Sequence, residues 1–304
     1  MPVPFYSEHA RGHSIKPKWG MIDTVVRVPD IIYFYRIVNW REKISCLRPL
    51  AYTFLGYLLA PGFRIGAAAR NTLVVAAILT ASYALNDYYD FQLNGEGSYL
   101  TRLIRVGRID RKAALLWCWL PLILVILLPI ANTAAVILTL TLIVLTLLYS
   151  IPPVRLKSRR VWGFVTPPAC AVIMLLQSYA LFAPIGLTIA ALALLVLLFH
   201  LYVETIHQIS DSVAEGAGKD RVGAYLSLLK LWPTLSLVVS AVLSLFQPVF
   251  LISTGFAVVR LIALKRVDVP QEISKIRKNI LTPIWSIYEF LAYGLIGFFR
   301  LIEF

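Results

Sequence analysis

The sequence predicts an all-α polytopic membrane protein with nine transmembrane helices around an internal cavity. Three observations carry that expectation. The 304 residues are 59% hydrophobic and only 15% charged, with a mean hydropathy of +0.76, whereas a soluble domain carries about a quarter charged residues. The apolar runs are continuous, where the strands of a membrane barrel would alternate in polarity. The basic residues concentrate in every second connection between the runs, as the positive-inside rule requires of an odd number of spans that begins in the cytoplasm.

The elements follow in order. Residues 1–45 form a polar segment with interleaved aromatics, Tyr33, Phe34, Tyr35 and Trp40. Ile31 to Trp40 reads either as a short amphipathic helix lying in the interface or as a tail with a turn before the first span. Residues 46–304 form the membrane unit. Its spans are expected at 47–68, 70–89, 112–131, 132–149, 161–183, 185–208, 225–247, 248–265 and 280–302, each roughly 18–25 residues and long enough to cross with some tilt. Pro61, Gly62 and Arg64 interrupt the first. Turn signals at Asn132, Pro184-Ile185-Gly186 and Gln247-Pro248 divide three long apolar stretches into closely joined pairs.

The formal charge of +13 is spread over several short loops. That distribution reports topology and contact with anionic lipid headgroups and argues against nucleic acid as a partner. It places the N-terminus and the basic loops in the cytoplasm and the C-terminus on the opposite side. Cys46, Cys118 and Cys170 are widely spaced in or beside apolar runs, so they read as small packed hydrophobes. No signal peptide precedes the first span.

Three constellations carry chemistry. Asn86-Asp87-Tyr88-Tyr89-Asp90 ends the second apolar run, and at helical spacing Asn86, Asp90 and Asn94 share a face with Asp87 beside it. Ionisable groups at such a depth mark a functional site by default, and hard oxygen donors suit Mg²⁺ held against a phosphorylated substrate. The bland reading is a helix end with polar caps. The second constellation is a stripe on the sixth span: His200, Glu204, His207 and Asp211, with Gln208 adjacent and Glu215 one turn further. It reads either as a Zn²⁺ or Fe site or as a second carboxylate pair for Mg²⁺, Asp211 and Glu215. The third is the loop Tyr149-Ser150-Ile151-Pro152-Pro153-Val154-Arg155-Leu156-Lys157. Its prolines end a helix and stiffen the turn, so that Arg155 and Lys157 project as fixed cations suited to a diphosphate. An ordinary basic cytoplasmic loop is the alternative for this segment. All three constellations fall on one side of the membrane, which points to a Mg²⁺-diphosphate site opening into an apolar cavity, and hence to a polyprenyl diphosphate.

With these motifs the chain resembles the UbiA superfamily of intramembrane prenyltransferases over about residues 45–300. Asn86-Asp87-Tyr88-Tyr89-Asp90 is similar to the family's N-D-x-x-D motif. Thr101-Arg102 and Gly107-Arg108-Ile109 resemble the arginine and G-R-I that follow it, and residues 149–157 resemble Y-S-x-P-P-x-R-x-K. Asp211 and Glu215 stand at the second, D-x-x-x-D motif, with Glu215 where Asp is usual and Asp220 close behind as a second candidate. Asn94 stands where a third Asp often extends the first motif.

The resemblance implies a nine-helix fold and Mg²⁺-dependent transfer of a polyprenyl group from an isoprenoid diphosphate to a lipid-soluble acceptor, most readily an aromatic one of a quinone-type pathway. It implies Asp87, Asp90, Asp211 and Glu215 as catalytic metal-binding residues, with Asn86 and Asn94 as further ligands. Arg102, Arg108, Arg155, Lys157 and Arg221 would bind the diphosphate. Tyr83, Tyr149, Glu204, His207 and Gln208 would line the cavity. Cyclisation without an acceptor and transfer to a non-aromatic lipid or sugar phosphate are variants of the same chemistry. An ion-coupled transporter is the alternative from another class; it would be marked by broken helices and inverted repeats.

Overall fold

The computed structural model describes residues 28–35, 49–95, 99–128, 130, 132–214, 219–265, 289, 291–297 and 299. Among them the fold is all-α, with no strand. The helices are α1 (Val28–Phe34), α2 (Leu50–Leu59), α3 (Ile65–Asn94), α4 (Tyr99–Arg105), α5 (Arg111–Leu127), α6 (Thr133–Ser150), α7 (Arg160–Ala180), α8 (Leu187–Ala214), α9 (Lys219–Phe246) and α10 (Leu251–Lys265). Helical turns recur at 291–297. The chain is an integral membrane protein, and six of these helices are long and apolar enough to cross a bilayer: α3, α6, α7, α8, α9 and, with the short turn before it, α10.

The expected nine spans are therefore not all seen as spans. The first is only the ten-residue α2, because Pro61 and Gly62 break the run. The third is the 17-residue α5, about 25 Å at 1.5 Å per residue, against a hydrocarbon core of about 30 Å. Most of the ninth, at 280–302, lies outside the described residues.

The second span is longer than its apolar run. Helix α3 has 30 residues, about 45 Å, and continues past Asp90 to Asn94. It stops where Gly95 takes up a left-handed conformation, φ 67°, and donates its N–H to the Phe91 carbonyl at 3.0 Å. Asp87 and Asp90 thus sit one to two turns inside a helix end that projects beyond the apolar core. Helix α8 has 28 residues and likewise carries its polar stripe towards its C-terminus. The junction expected at Asn132 is an N-cap: its Oδ1 accepts from the Ala135 N–H at 3.1 Å and starts α6. Prolines at 121, 167, 168 and 233 lie inside α5, α7 and α9; such prolines are tolerated in membrane helices, where neighbours re-satisfy the freed carbonyls.

Packing proceeds around α3, α7 and α8. The main apolar core joins α2, α3, α6, α7 and α8 through residues such as Leu55, Ile78, Leu142, Leu175 and Val196. A second seam packs α1, α4 and α5 on the acidic end of α3 through Phe34, Leu85, Tyr88, Leu103 and Cys118. A third joins α8, α9 and α10 through Phe199, Tyr202, Ile206, Tyr225 and Leu264. In lipid, apolar burial alone gives little preference for one helix partner over another, so buried polar contacts specify the pairing. Two such contacts stand out. Gln177 of α7 exchanges amide hydrogen bonds with Asn71 of α3, donating at 2.5 Å and accepting at 3.0 Å, and also donates to Thr139 of α6 at 3.1 Å. Asn71 donates in turn to the Tyr57 hydroxyl of α2 at 2.8 Å. On the other flank, Arg260 of α10 is ion-paired with Glu289, both under 5% exposed. The Ser253 hydroxyl donates to the second Glu289 oxygen at 2.6 Å, and the Arg260 guanidinium lies 4.6 Å from the Phe199 ring centroid.

Removing one member of that pair leaves a buried charge without its partner. Arg260→Met is expected to cost about 3–5 kcal/mol, read as a lowered midpoint in SDS-induced unfolding. Adding Glu289→Met should recover most of the loss; a double variant as unstable as the single one would show that the pair does not act through charge compensation.

Candidate functional site

The polar end of α3 is organised by the α6–α7 connection. The Asn86 amide donates to Asp90 Oδ2 at 3.1 Å across one helical turn. Arg155 donates to Asp90 Oδ1 at 2.7 Å, and the Lys157 ammonium contacts the same oxygen. Lys157 also donates to Asn86 Oδ1 at 2.7 Å. The side chains of Arg155, Lys157 and Asp90 are 17%, 18% and 20% exposed, which screens their attraction far less than open solvent would. One carboxylate thus gathers two cations that are 65 and 67 residues away in sequence.

The loop backbone is shaped for this. Ile151 closes α6, and after Pro152-Pro153 the chain turns at Arg155, the one non-glycine residue with positive φ among the described residues, at 35°. A left-handed conformation is uncommon for a side chain of this size and persists only where its surroundings impose it. Here the Arg155 N–H donates to the Ile151 carbonyl at 2.9 Å, and the Arg155 carbonyl accepts from the Ser158 N–H at 3.0 Å and the Ser158 hydroxyl at 2.8 Å. A short 3₁₀ turn, Leu156–Ser158, then seats Lys157 against the first turn of α7. A Cβ on Gly163 would lie 2.7 Å from the Lys157 carbonyl oxygen, so only glycine permits this approach.

The stripe on α8 meets the same place. Tyr149, at the end of α6, lies near Glu204 of α8 and near Tyr83 and Asp90 of α3. The Gln208 amide donates to Glu204 Oε1 at 3.0 Å. Gln208, Tyr149 and Lys157 border one cavity of about 700 Å³. His207 is half-buried and Asp211 exposed on the following turn. The polar ends of α3 and α8 therefore share one face with the 155–157 loop between them. Asp87, on the same stretch of α3, is buried, 3% exposed.

Other expected site residues are placed differently. Arg108 is bound to Asp30 of α1, donating to both carboxylate oxygens at 3.1 Å. It therefore holds the N-terminal helix rather than the Asp90 cluster. That helix is further fixed by the Tyr35 hydroxyl, which donates to the Trp117 carbonyl at 2.7 Å. Burial, with Cys118 nearby, pushes the Tyr35 phenol up to about 12, so it remains a donor at neutral pH. Glu215 and the side chains of Asn94, Arg102, Asp220 and Arg221 lie outside the described residues. His200 packs against aromatic rings, 4.8 Å from the Tyr52 centroid and 5.6 Å from that of Phe199.

Among the described residues no three His, Cys, Asp or Glu side chains converge as a metal site, as a Zn²⁺ or Fe centre would require. Mg²⁺ asks less of the protein: one or two carboxylates, with substrate phosphates and water completing its shell. The carboxylates of Asp87, Asp90 and Asp211 and the Asn86 amide oxygen are donors of that kind.

Several contributors were not visible in the sequence reading. Asp30 was one polar residue in a basic tail, Arg260 was a lone charge inside an expected span, and Gly163 carried no motif. The spacing from Lys157 to Gly163 gives no local signal, since the contact depends on how the loop folds back. Arg260 carries one signal: as a charge within an apolar run it requires a buried partner, and the structure supplies Glu289, likewise within an expected span.

The comparison with known proteins agrees with this architecture. No protein-family model and no curated protein sequence matches the chain. Among solved structures, a UbiA homolog from Archaeoglobus fulgidus bound to GPP and Mg²⁺ superposes with a TM-score of 0.64 at 18% identity, covering 88% of this chain and 99% of its own. The same homolog bound to DMAPP and Mg²⁺ gives 0.63 at 18% identity over 88% and 99%. Digeranylgeranylglyceryl phosphate synthase gives 0.69 at 16% identity over 89% of this chain and 98% of its own. The chain has the UbiA fold.

The Gly163 contact generates a test that is independent of function. Gly163→Val should push the Lys157 segment off α7 and raise amide hydrogen exchange over residues 155–159 by about tenfold, a loss of about 1.4 kcal/mol of local stability. Unchanged protection would show that the loop is held without this approach.

Proposed function

We propose that this chain, with its UbiA fold, is a Mg²⁺-dependent intramembrane prenyltransferase that moves a polyprenyl group from an isoprenoid diphosphate to a lipid-soluble acceptor. The observation that carries the reading is the clasp of Arg155 and Lys157 on Asp90, beside the polar end of α8. Carboxylates alone would suit a cation pathway. Carboxylates with two fixed cations and amide donors suit a metal–diphosphate pair, which brings both signs of charge. The neighbours bound to GPP and DMAPP with Mg²⁺ support the same chemistry. A transporter would call for helices broken near the membrane midplane, and α3 and α8 run unbroken through 30 and 28 residues.

In this reading Asp87, Asp90 and Asn86 from α3, with Asp211 and Glu215 from α8, hold the metal. When bound, Mg²⁺ offsets the charge that develops on the departing diphosphate. Arg155 and Lys157 turn from Asp90 to the phosphate oxygens, and because the strained loop fixes them beforehand little reorganisation accompanies bond breaking. Arg102 and Arg221 add charge at the rim. Arg108 acts indirectly, by bracing α1 against α4. As the allylic C–O bond breaks, the half-buried rings of Tyr83 and Tyr149 face the cationic carbon, and the apolar helices exclude water until the acceptor attacks. The concentration of Lys and Arg in alternate connections favours a cytoplasmic location for this face, the 1–45 segment and the N-terminus, with the C-terminus opposite. The 46–304 unit carries the reaction, and an aromatic acceptor of the quinone type fits the tyrosine-lined cavity.

Asp87→Ala and Asp211→Ala should each abolish Mg²⁺-dependent consumption of geranyl diphosphate while eluting as folded protein in detergent. Near-native turnover in either would remove one side of the site. Pyrophosphate release without any acceptor would reassign the reaction to cyclisation or hydrolysis.

A further inference from the structure

Helices α5 and α6 follow one another in the chain, yet each packs on α3 and, among the described residues, the two barely meet. They leave between them a crevice of about 500 Å³, within the range of small-molecule sites, about 300–1,000 Å³. One wall is the α5 stripe Trp119, Ile123 and Ile126, and the other is the α6 stripe Leu140, Ile143 and Leu147, each at the spacing of a single helix face. Ile123, Ile126 and Leu140 are 53%, 82% and 56% exposed, so the crevice opens outward, away from the Asp90 cluster. The α6 wall runs from Val136 to Leu147, about 16 Å at 1.5 Å per residue. That is about half of a hydrocarbon core of about 30 Å, the depth of one leaflet.

The lining suits hydrocarbon. Its two polar side chains are Thr139 and Trp119. The Thr139 hydroxyl is already engaged, donating to the Ala135 carbonyl at 2.8 Å and accepting from the Gln177 amide at 3.1 Å. The Trp119 indole is half-buried, and its N–H has no partner among the described residues. An apolar ring with one free donor is the kind of side chain that seats where lipid chains meet headgroups. Lys112 stands two turns before Trp119 on the same face of α5, and side chains of a helix lean towards its N-terminus, which brings the indole towards the Lys112 level. Lys112 is exposed, and its ammonium makes no ion pair among the described residues. The charges around it are engaged elsewhere. Arg108 holds Asp30, and Asp110 caps α5 by accepting from the Lys112 and Ala113 N–H groups at 2.7 and 3.0 Å. The Arg111 guanidinium lies 5.4 Å from the Phe91 ring centroid, which sets this mouth of the crevice beside the polar end of α3.

We propose that the crevice binds one anionic phospholipid, with an acyl chain between α5 and α6 and the phosphate on Lys112. Trp119 donates to the glycerol-level oxygens. The one-leaflet depth and the single free cation at the mouth favour a lipid over a second copy of the chain. The bound chain fills the space that α5 and α6 leave open and backs the opposite face of α5, Ala114 and Cys118, where it packs on Leu85 and Tyr88 of α3. The lipid thus braces the stretch of α3 that carries Asp87 and Asp90 without contributing a group to that site. The inference follows from the α5–α6 geometry in a membrane and is independent of the prenyltransferase reading.

The test titrates the full chain, stripped of lipid in detergent, with palmitoyl-oleoyl phosphatidylglycerol or with phosphatidylcholine of the same chains, and counts bound lipid by native mass spectrometry. One phosphatidylglycerol per chain should bind about fivefold more tightly than phosphatidylcholine, the contribution of one lysine facing an anionic lipid. Lys112→Gln should bring the two lipids to equal affinity. Leu140→Trp fills the crevice from an exposed position and should weaken both lipids at least about tenfold, the effect of excluding about two methylenes. Phosphatidylglycerol with brominated chains, added at one lipid per chain, should quench tryptophan fluorescence, and much of that quenching should be lost in Trp119→Phe; this reading stands if Leu140→Trp does not fold. Equal affinity of the two lipids for the unaltered chain, a preference that survives Lys112→Gln, undiminished binding to folded Leu140→Trp, or quenching unchanged in Trp119→Phe would overturn the proposal. A dimer that retains no lipid and that Leu140→Trp dissociates would also overturn it, and would assign the face to a second copy.

Discussion

The contact between Asp90 and the two cations of the α6–α7 loop is the constraint on which the rest of the site depends. A single carboxylate near the end of a membrane helix is costly unless it is paired, and here it is paired twice. The pairing fixes the loop against α3, and the same loop packs on α6 and on the start of α7. Each supporting detail serves that geometry. Arg155 takes a left-handed backbone, Ser158 ties the turn with its hydroxyl, and Gly163 lets α7 approach the Lys157 carbonyl. Local strain of this kind is found where function requires a side chain to be aimed.

Away from the site, the same economy of charge organises the helices. Arg260 with Glu289, Gln177 with Asn71, and Arg108 with Asp30 each join elements far apart in sequence. For the buried pairs of Arg260 with Glu289 and Gln177 with Asn71 a bilayer offers no water, so each group must find a partner within the protein, and the partners then decide which helices adjoin. The three contacts lie in different parts of the bundle, so it is pinned at separate points: Gln177 with Asn71 joins α7 to α3, Arg260 with Glu289 secures α10, and Arg108 with Asp30 secures α1.

Much of this was legible in the sequence. Continuous apolar runs gave the helical membrane class, and Asn132 marked the start of α6, although α5 ends earlier, at Leu127, than the expected 131. The motif residues 86–90 and 155–157 were expected on one face, and the structure brings Asn86, Asp90, Arg155 and Lys157 into contact. The limits were of two kinds. Span counting by apolar length misjudged the first segment, where Pro61-Gly62 stops α2 after ten residues, and ended the second at residue 89, because helical hydrogen bonding continues through polar residues until Gly95 stops it. Pair contacts over long sequence distances were the other kind. Arg108 matched a motif and was assigned to the diphosphate, but a motif carries no information about Asp30, 78 residues earlier.

The central claim is that the polar ends of α3 and α8 form one site for a metal held together with a diphosphate. Electron–nuclear double resonance on the chain with Mn²⁺ in place of Mg²⁺ addresses it directly. The account predicts that Mn²⁺ is retained only when geranyl thiolodiphosphate is present and then shows coupling to ³¹P with no coupling to ¹⁴N, because the ligands are carboxylate, amide and phosphate oxygens. Retention of Mn²⁺ without the diphosphate, accompanied by histidine nitrogen coupling, would contradict it and return the α8 stripe to an independent metal centre.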